Sequence, residues 1–66
     1  MSKLERAIKI TIEAGQGQTS LLQRKMNISY NEAMRLMDKM EKIGVIGPTQ
    51  GFHPRKLLIF DINEII

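Results

Sequence analysis

The sequence predicts an α+β fold of the winged helix-turn-helix type, three helices plus a small β-hairpin wing, and three observations carry that prediction. Apolar residues recur at helical spacing in three separate stretches before Gly44. Only Asn27-Ile28-Ser29 separates the second stretch from the third, a connection short enough for a helix-turn-helix. The rest of the chain holds two aliphatic runs, Val45-Ile46 and Leu57-Leu58-Ile59-Phe60, split by the turn-rich segment from Gly47 to Pro54.

Helix 1 is expected over about residues 3–14, where Leu4, Ala7, Ile8, Thr11 and Ile12 form one stripe and Lys3, Glu5, Arg6, Lys9 and Glu13 the other. Ser2 followed by Glu5 has the spacing of a capping box, and Gly15 and Gly17 supply the stop; Ile10 falls on neither face. Helix 2, about residues 20–26, has two turns, is capped by Thr19 or Ser20, and buries Leu21, Leu22 and Met26, with Ile28 as an apolar plug behind it. Helix 3, about residues 30–43, opens on a second capping box, in which the Ser29 hydroxyl takes the Glu32 amide and Glu32 returns the bond. Its inward stripe is Ala33, Leu36, Met37, Met40 and Ile43, and Gly44 stands where a left-handed cap ends a helix. The wing, about residues 45–60, pairs the two aliphatic runs, with a third short strand near Gln18 to Ser20. In the tail, Asp61 caps a last turn whose Ile62, Ile65 and Ile66 share one side, to be covered by helix 1 or by a second copy in a homodimer.

At 66 residues the chain makes a single domain, residues 1–66, with a small core. Its composition, 42% hydrophobic and 26% charged, belongs to globular rather than disordered chains. The absence of cysteine excludes a disulfide framework and thiolate zinc sites. No apolar run reaches the roughly 18 residues that a spanning helix needs, and the start carries no signal-like apolar stretch, so no membrane association and a cytoplasmic, nucleoid-associated location are expected. Ten basic residues against seven acidic ones give a net charge of +3 and a pI near 9.6, which suits a polyanionic partner. Where the cations fall decides whether there is one.

No paired acids, no nucleophile beside a base and no phosphate-gripping G-x-x-x-x-G-K occur, so no enzyme and no cofactor are expected. His53 lacks a ligand partner at helical spacing, so no metal is expected either. The outward face of helix 3 is more informative, because Asn31, Met34, Arg35, Asp38 and Lys42 share it. A helix in the major groove reads base edges with its first turns: Asn31 can bond adenine, Arg35 guanine, Glu32 can accept from cytosine and Met34 can touch a thymine methyl. A solvated surface with an Asp38–Lys42 pair would explain that face alone. It would not explain why Gln23, Arg24 and Lys25 on helix 2 and His53, Arg55 and Lys56 in the wing flank it. These six, with Thr19, Ser20 and Tyr30, are the candidate backbone contacts, and double-stranded DNA is the expected partner. The alternative is a protein-protein interaction module that docks a partner through the Met34 face or the isoleucine tail.

The run from Thr19 to Pro48, followed by His53-Pro54-Arg55-Lys56-Leu57-Leu58, resembles the gamma domain of FtsK/SpoIIIE DNA translocases. Leu22-Gln23-Arg24, Ile28-Ser29-Tyr30-Asn31, Leu36-Met37-Asp38, Gly47-Pro48 and Pro54-Arg55 fall in that family's order and spacing. The resemblance implies a winged helix that reads short, oriented, G-rich chromosomal sequences and so orients a ring-shaped motor. No nucleotide-binding motif lies in these residues, which implies either a reader belonging to a translocase or a free-standing protein using the same reader, closer to a transcription or replication regulator. One position departs from the family pattern I-G-Y-N-R-A-A-R: Glu32 stands where arginine is usual, while Asn31 and Arg35 match. Exchanging a guanine-reading donor for an acceptor implies a different DNA sequence and favours the free-standing regulator.

Overall fold

The computed structural model describes residues 2–51 and 53–64. Helix α1 spans Lys3–Ala14, strand β1 Gln16–Gly17, α2 Thr19–Met26, α3 Tyr30–Lys42 and β2 Arg55–Lys56, and a single 3-10 turn follows at Ile62–Glu64. Three helices with a β-hairpin after the third make this a winged helix. Leu22, Met37, Met40, Val45 and Ile46 lie fully buried where the helices meet the base of the wing.

Local hydrogen bonding sets the start of α1. The Ser2 hydroxyl accepts from the Glu5 amide at 3.1 Å, and the Glu5 carboxylate accepts from the Ser2 amide at 3.2 Å, so two amides without helical partners are satisfied reciprocally. Ala7 and Ile8 are buried, and Ile10, which the pattern placed on neither face, packs half-buried against the core. Thr11 is buried as well, and its hydroxyl donates to the Met40 sulfur at 3.6 Å, which satisfies a polar group inside an apolar core.

Helix α2 starts one residue earlier than expected and without a side-chain cap. Its N-cap is Gln18, which makes no capping bond, and neither Thr19 nor Ser20 takes that role. The Thr19 hydroxyl instead donates to the sulfur of Met34 on α3, 3.4 Å away. Asn27 ends the helix in the left-handed region at φ 54°, the Ile28 amide bonds the Gln23 carbonyl at 3.2 Å, and Ile28 packs against the core between the two helices.

Helix α3 forms only half of its expected capping box. The Ser29 hydroxyl accepts from the Glu32 amide at 3.1 Å, but the Glu32 carboxylate does not return the bond and reaches Lys3 of α1 at 2.5 Å. Ala33, Leu36, Met37 and Met40 are buried, whereas Ile43, expected on the inward stripe, is 44% exposed. The reason is the turn that follows: Gly44 adopts φ 85°, and the Val45 amide then bonds the Met40 carbonyl at 2.8 Å, so Val45 takes the buried position in place of Ile43.

The wing pairs Val45 and Ile46 with Leu57 and Leu58 as expected, but its regular strand is displaced. Its strand lies at Arg55–Lys56 rather than Leu57–Phe60 and pairs antiparallel with Gln16–Gly17, two residues before the segment where a third strand was expected. On its other edge β2 meets the outgoing arm of the hairpin: the Gly47 amide bonds the Lys56 carbonyl at 2.8 Å, Leu58 bonds Val45, and bridges join Ile46 to Leu57 and Gln50 to His53 in the same register. Ile59 and Phe60 have no partner left on that edge, because the chain preceding Val45 is already the end of α3. Beyond them the Asp61 carboxylate accepts from the Asn63 amide at 3.0 Å, and Ile62 packs half-buried against the core beside α1. Ile65 and Ile66, the rest of the expected apolar tail, lie outside the described residues.

Candidate nucleic-acid interface

The first turns of α3 present the candidate base-reading residues in a graded way. Asn31 and Arg35, four residues apart, are exposed on one face, which leaves an amide and a guanidinium free to meet hydrogen-bonding edges. Met34 is half-buried, its sulfur engaged by Thr19, so it offers an apolar edge rather than a free side chain. Glu32 is half-buried and tied to Lys3. That ion pair joins the first turn of α1 to the first turn of α3. It neutralises the carboxylate that the sequence suggested as a cytosine acceptor.

Between α2, α3 and the wing lies a groove of about 370 Å³. Thr19, Ser20 and Gln23 form its α2 wall, Tyr30, Met34 and Met37 its floor along α3, and Thr49, His53, Pro54 and Arg55 its wing side. Thus Thr19, Ser20, Gln23, Tyr30, Met34, His53 and Arg55 come together although they are scattered along the sequence. Tyr30 is 58% exposed at the mouth of the groove, where a ring face and a hydroxyl are both available. Asn31, Glu32, Arg24, Lys25 and Lys56 do not line it. Arg35 does not either, and lies with Asn31 on the exposed face of α3 beside it. Side chains alternate across a strand, so Lys56 leaves β2 on the side opposite its buried neighbour Arg55.

Arg55 is the main correction to the expected set of exposed wing cations. Its side chain is 8% exposed, with Nη1 3.1 Å from the Glu41 carboxylate and Nη2 3.9 Å from that of Asp38. Asp38 therefore faces the wing instead of pairing with Lys42 along the helix. Neither this bridge nor the Lys3–Glu32 pair was visible in the sequence, because ion pairs between distant elements follow no helical or strand period. Among the described residues no ion pair engages Arg35, Lys39 or Lys42, so the cations of α3 stay available while its carboxylates are matched from other elements.

Residues 2–60 match the family described as the FtsK gamma domain. The DNA translocase FtsK of Clostridium tetani is 54% identical over 56 residues, 85% of this chain and 8% of that protein. Its counterpart in Clostridium acetobutylicum is 50% identical over 56 residues, 85% of this chain and 7% of the relative. The one in Bacillus cereus is 40% identical over 60 residues, 91% and 8% respectively. The chain thus spans less than a tenth of the length of these relatives. Among the described residues no helix is long and apolar enough to cross a membrane.

Proposed function

The chain belongs to the FtsK gamma domain family, and on that footing we propose that it binds double-stranded DNA sequence-specifically, with α3 in the major groove and α2 and the wing on the flanking phosphates. The observation that carries this reading is the exposed Asn31–Arg35 pair on the first turns of α3, beside a groove walled by α2 and the wing. An amide and a guanidinium one helical turn apart match adenine and guanine edges in neighbouring base pairs. Ser20, Gln23, Tyr30 and His53 supply polar groups around them, with Thr19 fixing Met34 beside them, and Arg24, Lys25 and Lys56 supply charge further out. Because its relatives are DNA translocases, the chain acts as the reader of such a motor on chromosomal DNA in the cytoplasm, in preference to a transcription regulator. Glu32 gives it a site distinct from the G-rich one that the family pattern implies.

Salt-titrated binding to duplexes selected from a random pool tests this reading. Asn31→Ala and Arg35→Ala should each cost about 1–3 kcal/mol on the selected site and relax the preference at one position. Unchanged affinity and unchanged preference in both variants would remove α3 from the interface.

A further inference from the structure

We propose that α1 joins the DNA interface through Lys3, whose ammonium exchanges the Glu32 carboxylate for a phosphate on the flank of α3 away from the wing. This contact rests on the DNA-binding reading above and brings in an element which that reading leaves out. Two hydrogen bonds fix how α1 lies. Lys3 meets Glu32 at 2.5 Å and Thr11 meets Met40 at 3.6 Å, and each pair is 29 residues apart, so α1 and α3 run in the same direction. The first turn of α1 therefore comes to the same end of the molecule as the first turn of α3, the end that carries Asn31. Tyr30 precedes Asn31 and Glu32 follows it, each about 100° away around the helix. Tyr30 lines the groove shared with α2 and the wing, so Glu32 and Lys3 stand on the other side of Asn31.

A helix about 10–12 Å across fills a major groove about 12 Å wide, so a row of phosphates borders it on both sides. α2 and the wing face one row, and Lys3 is placed for the other. Its side chain is 64% exposed, and Lys39, two turns along α3 from Glu32, is exposed on the same flank. In the free chain Glu32 holds the ammonium. An ion pair this open to solvent is weak, so a phosphate can take the lysine from it. The carboxylate has a second partner within its own turn. The Ser29 hydroxyl already caps the Glu32 amide, while the Ser29 amide does not donate to the Glu32 carboxylate. Release from Lys3 lets that bond form and completes the capping box, which offsets the loss of the pair.

Duplex binding across a salt series, with circular dichroism as the check on folding, compares Lys3→Met, Lys3→Arg and the double variant Lys3→Met/Glu32→Gln. Lys3→Met should lower the salt slope by about one and weaken binding to selected and scrambled duplexes alike, by roughly three- to tenfold near 0.1 M salt, whereas Lys3→Arg keeps the native slope. The double variant has the net charge of the native chain and should still show the lowered slope. Equal slopes in Lys3→Met and Lys3→Arg would take Lys3 out of the interface. A native slope in the double variant would mean that Lys3 acts only by neutralising Glu32, and either result overturns the contact. The change of partner has its own readout without DNA: in Lys3→Met the Ser29 amide proton should shift downfield as the Glu32 carboxylate accepts from it, and an unmoved signal would overturn the exchange. A native chain that binds no duplex would overturn the DNA-binding reading and this contact with it, whereas the other outcomes overturn the contact alone.

Discussion

Glu32 illustrates how much one side chain can decide at the start of α3. Its amide is used by the Ser29 cap, and its carboxylate is drawn to Lys3 and away from the cap. In Glu32→Arg the Lys3 pair becomes a repulsion between an exposed and a half-buried group at the surface, which costs about 1 kcal/mol of stability. The gain is a guanine-reading donor at the first turn of α3. Selection from a random duplex pool should then return sites richer in guanine, with a preference of about 1–3 kcal/mol at the added position; an unchanged selected site would show that this turn does not meet bases. Glu5 occupies the equivalent position in α1 and behaves differently. The Ser2 backbone amide first, and its hydroxyl second, hold the Glu5 carboxyl below its ordinary value. A lowered folded-state value stabilises above the ordinary glutamate range and is lost as pH falls through it, so Glu5→Gln should flatten the acid side of a melting-temperature profile between pH 6 and pH 3. A profile identical to that of the native chain would mean that the box contributes nothing to folding.

At the scale of elements, the sequence revealed what is local and hid what is not. The S-x-x-E spacing and the stripe through Ala33, Leu36, Met37 and Met40 placed the helices, because caps and periodicity act within a few residues. Two-residue strands carry no period, so β1 and the true position of β2 were not legible, and the exposure of Ile43 depended on the reversal at Gly44. The site was legible in the same proportion. Asn31 and Arg35 follow from the helix alone, whereas the burial of Arg55 needs the strand that holds it. The join between β1 and the wing is tight at Gly17, where an added Cβ would lie 3.0 Å from the Ile46 Cγ2 atom and 3.4 Å from the Arg55 Cβ atom. Ile46 is fully buried, so it has little room to give way. Gly17→Ala should therefore cost about 1–3 kcal/mol by overpacking, measured by chemical denaturation. It should weaken the wing most, read as faster amide exchange at Gly47 and Leu58, and equal exchange rates would show that the wing does not depend on this contact.

For the whole molecule, size sets the terms. A chain of 66 residues has a total stability of roughly 3–10 kcal/mol, spread over a core that the three helices and the base of the wing share. Met40 lies at its centre, fully buried and accepting the Thr11 hydroxyl, so Met40→Ala opens a cavity and strands a polar group at a cost of about 2–5 kcal/mol. That loss is comparable with the whole, and the variant should be largely unfolded near body temperature. Binding to the folded state alone offsets it. Duplex DNA at 100 times its dissociation constant adds about 2.7 kcal/mol, which in a domain of this size raises the melting temperature by roughly 10–20 °C. Both the native chain and Met40→Ala should show this shift with the selected duplex, and a smaller one with a scrambled duplex at the same concentration. The same shift with both duplexes would mean that the fold holds DNA by charge alone, with Asn31 and Arg35 reading nothing.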